Sequence, residues 1–422
     1  MPRNRVIYNV QDLFIGSFPD EQNISIAGLD GYQILQRINR VQSFEHSINT
    51  SKLSESVLGS SSSIIQEYPT SPEVSVDFSY LVNGVNNEIR MGLNPVSEIN
   101  FNSAQGKNFL NSLLLEKDKL GKNIYLITRN SNDDTHNYTS DYLDVYTLLN
   151  LSQKSDVEHP DSSNFGVGVF QNSYLNKYSI EGGVGKITAV NVSYTSDNFL
   201  GFSHGNNLNI PYLNLKNGTV INGDKELIIP KSFKKEGLCD KSNLISEPSK
   251  IQLNIIKSKE NTVNYLNNDI VDFTIDIDIT RENINCIGHK IAVKKVIKFP
   301  VTVSFSVNMI YQNDAAGSFL DNVKEKETYN VVLELKNNLD ENICKYTLLG
   351  CALDSVSDNG GIGDNRSISL DFSTDIDFER NTRGIFIEGK VDEICDNITD
   401  NNGESVTNDN DIGIQFGFHP RY

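Results

Sequence analysis

The chain has 422 residues, with 37 Lys and Arg against 55 Asp and Glu, a formal net charge of −18. That length leaves room for two or three domains, each with a core of its own. The charge excludes a tight grip on nucleic acid through neutralised phosphates, and the lack of tryptophan argues against the usual aromatic platform for sugars.

In chain order, the opening MPRNRVIYNVQDLF lacks the apolar run of a signal peptide, so synthesis and folding are expected in a cytoplasm. Within it VIYNVQDLFIG predicts a strand, an arm that reaches a neighbouring molecule. RVQSFEHSINTSKLSESVLG (40–59) leads to a Pro-bounded strand, PEVSVDFSYLV, and FLNSLLLEKDKL (109–120) predicts a short helix. GGVGKITAVNVSYTSD (182–197) has the glycines of a phosphate loop without its spacing, because Gly185-Lys186 is followed by Ile187 where a hydroxyl residue is needed. Residues 201–262 are polar and broken, with one apolar patch at 227–230. From 269 the pattern returns to period two: Phe273, Ile275, Ile277 and Ile279 alternate with Asp272, Thr274, Asp276 and Asp278, giving one wet and one dry face. The chain closes with an acidic loop, DNITDNNGESVTNDND, and a strand-like IGIQFGF.

These stretches repeat. GGVGKITAVNVSYTSD lies over GGIGDNRSISLDFSTD (360–375) at an offset of 178, with Lys186 on Asp364, so the glycines serve backbone geometry and not phosphate. Residues 40–59 lie over DIVDFTIDIDITRENINCIG (269–288) at 229, which carries Val74, Val76, Phe78 and Tyr80 onto Val303, Phe305, Val307 and Met309. IYLITRNSNDD (124–134) lies over VVLELKNNLDE (331–341) at 207. The sequence therefore predicts a duplicated domain. Copy one spans 1–205, a linker with connecting strands 206–262, and copy two 263–422. The falling offsets give copy one insertions near 83–105 and 135–165, expected on surface loops. Gly59, Gly183, Gly185, Gly288, Gly361 and Gly363 are the expected structural turn glycines. The fold class is mainly β, a sandwich or open barrel with a short helix per domain.

No catalytic, cofactor or metal site is expected. The six histidines have no metal-binding spacing, the five cysteines form no close pair, and Asp409, Asp411 and Gly413 lack the partners of a calcium loop at Ile414 and Pro420. Paired carboxylates for glycan hydrolysis stay open, since their separation is set in three dimensions.

Each copy resembles the domain of tailed-bacteriophage major tail tube proteins. The likeness rests on the 40–59 segment and its Pro-bounded strand, the FLNSLLL or FLDNV helix, and the strand pairs ending in YTSD and FSTD. It implies a non-enzymatic virion protein, made in a bacterial cytoplasm, whose single-domain relatives form six-membered rings that stack into a tube. A two-domain chain would close the ring as a homotrimer. The implied partners are itself, other tail proteins (tape measure, sheath or terminator) and genomic DNA passing without tight binding, with no membrane. Loops 49–72 and 278–300 are expected to meet the next ring. Glu73, Asp77, Asp276 and Asp371 on the wet strand faces are the expected lumen-facing residues, with an outward solvated face as the other reading. Alternatives are a baseplate, capsid accessory or decoration protein, or a β-rich glycan-binding or glycan-hydrolysing virion protein.

Overall fold

The computed structural model describes residues 11–17, 32–34, 36–50, 53–56, 58, 63–67, 73–93, 95, 108–110, 113, 121–129, 165–203, 209–213, 220–228, 246–257, 263–265, 270–289, 291–310, 328–359, 367–380 and 382–390. It is mainly β; α1 (Asn86–Arg90) is a short α-helix, and Leu113 is helical as well.

Copy one contributes β1 (Gln11–Ser17), β2 (Tyr32–Ile34), β3 (Gln36–Arg37), β4 (Val41–Asn49), β5 (Leu53–Ser56), β6 (Ser63–Glu67), β7 (Glu73–Leu81), β8 (Lys122–Arg129), β9 (Phe165–Gly183), β10 (Lys186–Ser196) and β11 (Asn198–Ser203). Next come β12 (Asn209–Leu213) and β13 (Val220–Ile228), which with β2 form a small separate sheet. The second half holds β14 (Gln252–Lys257), β15 (Val263–Tyr265), β16 (Ile270–Asp278), β17 (Arg281–Ile284), β18 (Lys294–Ile297), β19 (Thr302–Ile310), β20 (Tyr329–Lys336), β21 (Asn342–Asn359), β22 (Ser367–Asp375) and β23 (Gly384–Gly389).

One pairing scheme occurs twice. Antiparallel order β4-β7-β10-β9-β8-β1 in the first half is matched by β16-β19-β22-β21-β20-β14 in the second, and β11 on β9 is matched by β23 on β21. The irregularities match as well. The ladder slips between Val41/Ser43 and between Ile270/Asp272, both 229 apart. It slips again between Lys122/Ile124 and Tyr329/Val331, 207 apart, and between Ser193/Tyr194 and the Leu353/Ser355 step opposite Phe372/Asp371, 178 apart. An extra residue bends its strand and re-aims the side chains beyond it, so a bulge has to be specified locally.

The long strands show how. β9 and β21 each pass from one sheet to another, and each turns the corner on a residue in the left-handed region, Asn172 (φ 53) and Gly350 (φ 68). Asn123 Oδ1 accepts the Asn172 N–H at 3.1 Å, and Asn330 Oδ1 accepts the Gly350 N–H at 3.1 Å. Asn330 stands 207 residues after Asn123. At Gly350 a Cβ would come within 2.9 Å of Arg383 Cγ, whereas Asn172 is held by its own side chain, which donates to Asp197.

The core lies between the bent sheets and runs through both halves. Val74, Val76, Phe78 and Tyr80 are buried, as are Val303, Phe305, Val307 and Met309. Leu13 and Ile15 of β1 are buried against β8, as Leu253 and Ile255 of β14 are against β20. β1 is thus a member of its own sheet and not an arm toward a neighbour, while residues 6–10 of the expected arm lie outside the described residues. Its counterpart, β14, lies in the 206–262 stretch expected as linker and connecting strands.

The first insertion also departs from expectation. Asn83, Val85, Asn86, Asn87, Glu88, Met91 and Leu93 are buried, not on a surface loop. Val85 N–H donates to the Lys390 carbonyl at 3.1 Å, and nearby Phe109 N–H donates to the Ile385 carbonyl at 3.1 Å. The extra residues cover the outer edge of β23, a row of backbone groups that would otherwise be left open. The second insertion (135–165, apart from Phe165 at the start of β9), most of the 109–120 helix, the FLDNV helix and the C-terminal strand lie outside the described residues.

Candidate functional site

Eight strands run side by side in the order β4-β7-β10-β9-β16-β19-β22-β21, four from each half. Because side chains alternate, one face of this sheet takes most of the apolar positions and the other is mainly polar. Residues directly opposite on neighbouring strands share a face, so register decides who meets whom.

The remaining face is acid and hydroxyl. Asp77 is opposite both Glu45 and Ser193; Asp276 is opposite both Ser304 and Ser179; Asp371 is opposite both Ser306 and Ser355; Glu73 is opposite Asn49. The four carboxylates expected on wet strand faces therefore share one surface. Glu73 and Asp77 are exposed, while Asp276 and Asp371 are half-buried. Hydroxyls hold much of it: Ser306 donates to Asp371 at 2.7 Å, Thr302 donates to Asp375 at 2.8 Å, and Ser47 and Ser75 share a hydrogen bond of 2.7 Å. Lys177 makes a 3.2 Å ion pair with Asp276 on this face. Glu45 opposite Asp77 is a like-charge pair, which costs stability in a sheet.

The turn glycines take different roles. Gly185 (φ 73) makes the two-residue turn between β9 and β10, where a side chain would be strained. Gly183 is not in the turn but at the end of β9, where a Cβ would meet the Val271 carbonyl at 2.9 Å; it lets β16 approach. Gly288 (φ 86) lies at the tip of the β17–β18 hairpin. Gly59, Gly361 and Gly363 lie outside the described residues.

The halves join where β16 pairs with β9, and here the structure brings together residues that the sequence did not single out. Asp276, Ile277 and Asp278 are opposite Ser179, Tyr178 and Lys177. The β17–β18 hairpin of the second half reaches back over the first. Arg281 lies 5.2 Å and Lys295 4.9 Å from the centre of the Tyr174 ring, and Lys295 Nζ pairs with Asp197 Oδ1 at 2.7 Å. Burial raises the Asp197 carboxyl above its usual range despite the lysine, and burial lowers Arg281 to about 10. Nothing in the sequence flags this clamp, since its members lie about a hundred residues apart.

Within the first half a buried site holds Glu88. Tyr80 donates to Glu88 Oε1 at 2.6 Å and Tyr178 donates to the same oxygen at 2.9 Å. The carboxyl is fully buried, and desolvation raises it above the ordinary carboxylate range although both hydroxyls oppose the shift. Burial thus disfavours its charged form. No group of three or more His, Cys, Asp or Glu that could hold a metal occurs among the described residues.

At the far ends of the two hairpins Leu58 and Ile287, 229 apart, are fully exposed. Each precedes a glycine in sequence, and each is an apolar side chain left open to solvent. Among the described residues no helix is long and apolar enough to cross a membrane.

No family model matches the chain, and no curated protein matches it. Among solved structures it is similar over 33% of its length, and 92% of the other chain, to a component of the anti-feeding prophage baseplate, at 12% identity and a TM-score of 0.25. It is similar over 34% of its length, and 98% of the other chain, to a component of the tail of an empty GTA particle, at 7% identity and a TM-score of 0.25. Likenesses at these scores say nothing about what this chain does.

Proposed function

We propose that the chain is a tail tube subunit of a tailed bacteriophage, a non-enzymatic virion protein without a cofactor, three copies of which close a ring of six β-domains around a path for DNA. The observation that carries this reading is the doubled pairing scheme with its matched bulges, which makes one chain a pair of equivalent units joined edge to edge. A unit that has joined once in this way offers the same edges again at its two ends. Closing the chain of edges into a ring removes the open strands that would otherwise aggregate.

Magnitudes agree with the proposal. Eight strands per chain make twenty-four in a ring of three. At a spacing of ~4.8 Å they give a circumference of roughly 115 Å and a backbone diameter of roughly 37 Å, more once the strands tilt. That leaves a bore wide enough for duplex DNA. With the acidic face turned inward, Glu73, Asp77, Asp276 and Asp371 would line it, and carboxylates facing phosphates keep the passage non-adhesive. Leu58 and Ile287 at the hairpin tips would seat in the adjoining ring.

Negative-stain microscopy of the purified protein tests the reading. Rings or hollow rods with a regular axial repeat are expected. Isolated trimers that never stack would favour a baseplate or decoration role, and strictly monomeric particles would refute assembly.

A further inference from the structure

The continuous sheet ends in β4 on one side and in the C-terminal part of β21 on the other; among the described residues, Glu45–Asn49 has a strand partner only on its β7 side and Ser355–Asn359 only on its β22 side. Inside the chain, the counterparts of these two edges are already joined. β16 is the counterpart of β4 at 229, β9 is the counterpart of β21 at 178, and the two pair with each other. The internal joint is thus a template for the external one.

Carrying the offsets across gives a register. Asp276 opposite Ser179 becomes Ser47 opposite Ser357, Ile277 opposite Tyr178 becomes Ile48 opposite Val356, and Asp278 opposite Lys177 becomes Asn49 opposite Ser355. At the next step Ile275 and Ile180 are replaced in sequence by His46 and Asp358. Exposure agrees with an edge awaiting a partner: Ile48 is 47% exposed, whereas Ile277 at the joined position is 0% exposed. Ser47, Ser355 and Ser357 are exposed as well.

The clamp does not carry across. Tyr174 corresponds to Ala352, Lys295 to Gln66, and Asp197 to Asp375, which is exposed and already accepts from Thr302. No ring remains for cations to cover.

We propose that a second copy of this chain docks its Glu45–Asn49 edge antiparallel on Ser355–Asn359 in this register, and that the resulting seam lacks the cation-on-tyrosine clamp that closes the joint within the chain. The proposal rests on the ring reading above and fixes its contact. The seam between copies is the weaker of the two joints, so a ring comes apart into whole chains before a chain opens between its halves. A second copy is the occupant because the template joint is made of the chain's own sequence.

The test is disulfide trapping between full-length single variants in a C286S background, which removes an exposed thiol. Opposed residues in an antiparallel pair lie ~4.5–5.5 Å apart at Cα, within disulfide range, while a partner two residues off register lies beyond ~7 Å. Mixed S47C and S357C proteins should give a cross-linked dimer at least tenfold more than mixed S47C and S355C. Equal or greater trapping of the off-register pair overturns the proposal. Rings seen by microscopy without 47–357 trapping overturn the register and leave the tube reading standing; 47–357 trapping without rods does the reverse. Dissociation of rings in urea should yield folded single chains; release of separately unfolded halves first would overturn the ranking of the two joints.

Discussion

Lys295 Nζ lies 2.7 Å from Asp197 Oδ1, the two residues come from different halves of the chain, and both side chains are less than a tenth exposed. A pair this buried is costly to break from one side, because the survivor keeps its charge without its partner. K295M should lower stability by about 3–5 kcal/mol in chemical denaturation. D197N/K295M, which leaves no stranded charge, should recover a large part of that loss. Equal losses in the single and double variants would show that packing against Tyr174 matters and the charge pair does not.

Glu88 gives a pH signature. Its carboxyl is raised in the folded state by desolvation, so folding takes up a proton. The stability this contributes is fully present below the unfolded carboxylate value of ~4.3 and is lost as pH rises through the raised folded value. E88Q, which imitates the neutral form and keeps an acceptor for Tyr80 and Tyr178, should be more stable than the parent at about pH 8. The gap should shrink toward about pH 4.5. Thermal melts of both proteins across that range provide the measurement, and a gap that stays constant would refute the assignment.

The paired asparagines test equivalence of the halves. Asn123 and Asn330 each accept a hydrogen bond from the backbone of a bend residue at 3.1 Å. N123A and N330A should each cost about 1–2 kcal/mol, since a buried N–H at Asn172 and a half-buried one at Gly350 lose their acceptors. Similar losses are expected from the two, read by urea unfolding. A loss at only one site would mean that the bends are held by different forces.

The hairpin tips separate stacking from folding. L58D and I287D alter side chains that are fully exposed. Melting temperature should be unchanged within error, rings should form, and rods should be shorter or absent by electron microscopy. Normal rods from the L58D/I287D double variant would place the axial contact elsewhere.

The acidic face answers for DNA passage. D77K/D276K/D371K reverses three carboxylates on exposed or half-buried positions. Assembled variant rings should retain DNA in a salt-sensitive way, whereas parent rings should not. Retention by the parent at moderate salt would contradict a non-adhesive bore.

Much of the fold was legible in the chain. Alternation at Phe273–Ile279 and Val74–Tyr80 named strands and their dry faces, because a period of two leaves no other arrangement. The offsets 229, 207 and 178 reappear unchanged in the pairing registers and bulges, since equivalent local sequences make equivalent bends. The acidic residues of the wet faces were also visible, although not that they share one surface. The insertion near 83–105 was misread, because its polarity resembles a loop. Its Asn87 and Glu88 are buried in contacts with Asn39, Tyr80 and Tyr178, which lie up to 90 residues away in the chain.

The chain by itself determined which residues alternate, where the backbone must bend, and that two segments obey one plan; each is a local property, written in the spacing of apolar residues and glycines. Only the tertiary structure decided that β16 lies against β9, that Lys295 crosses to Asp197, and that β4 and β21 are left as matching edges. Those contacts join residues remote in sequence, and their energy depends on burial and distance, which no stretch of one strand contains.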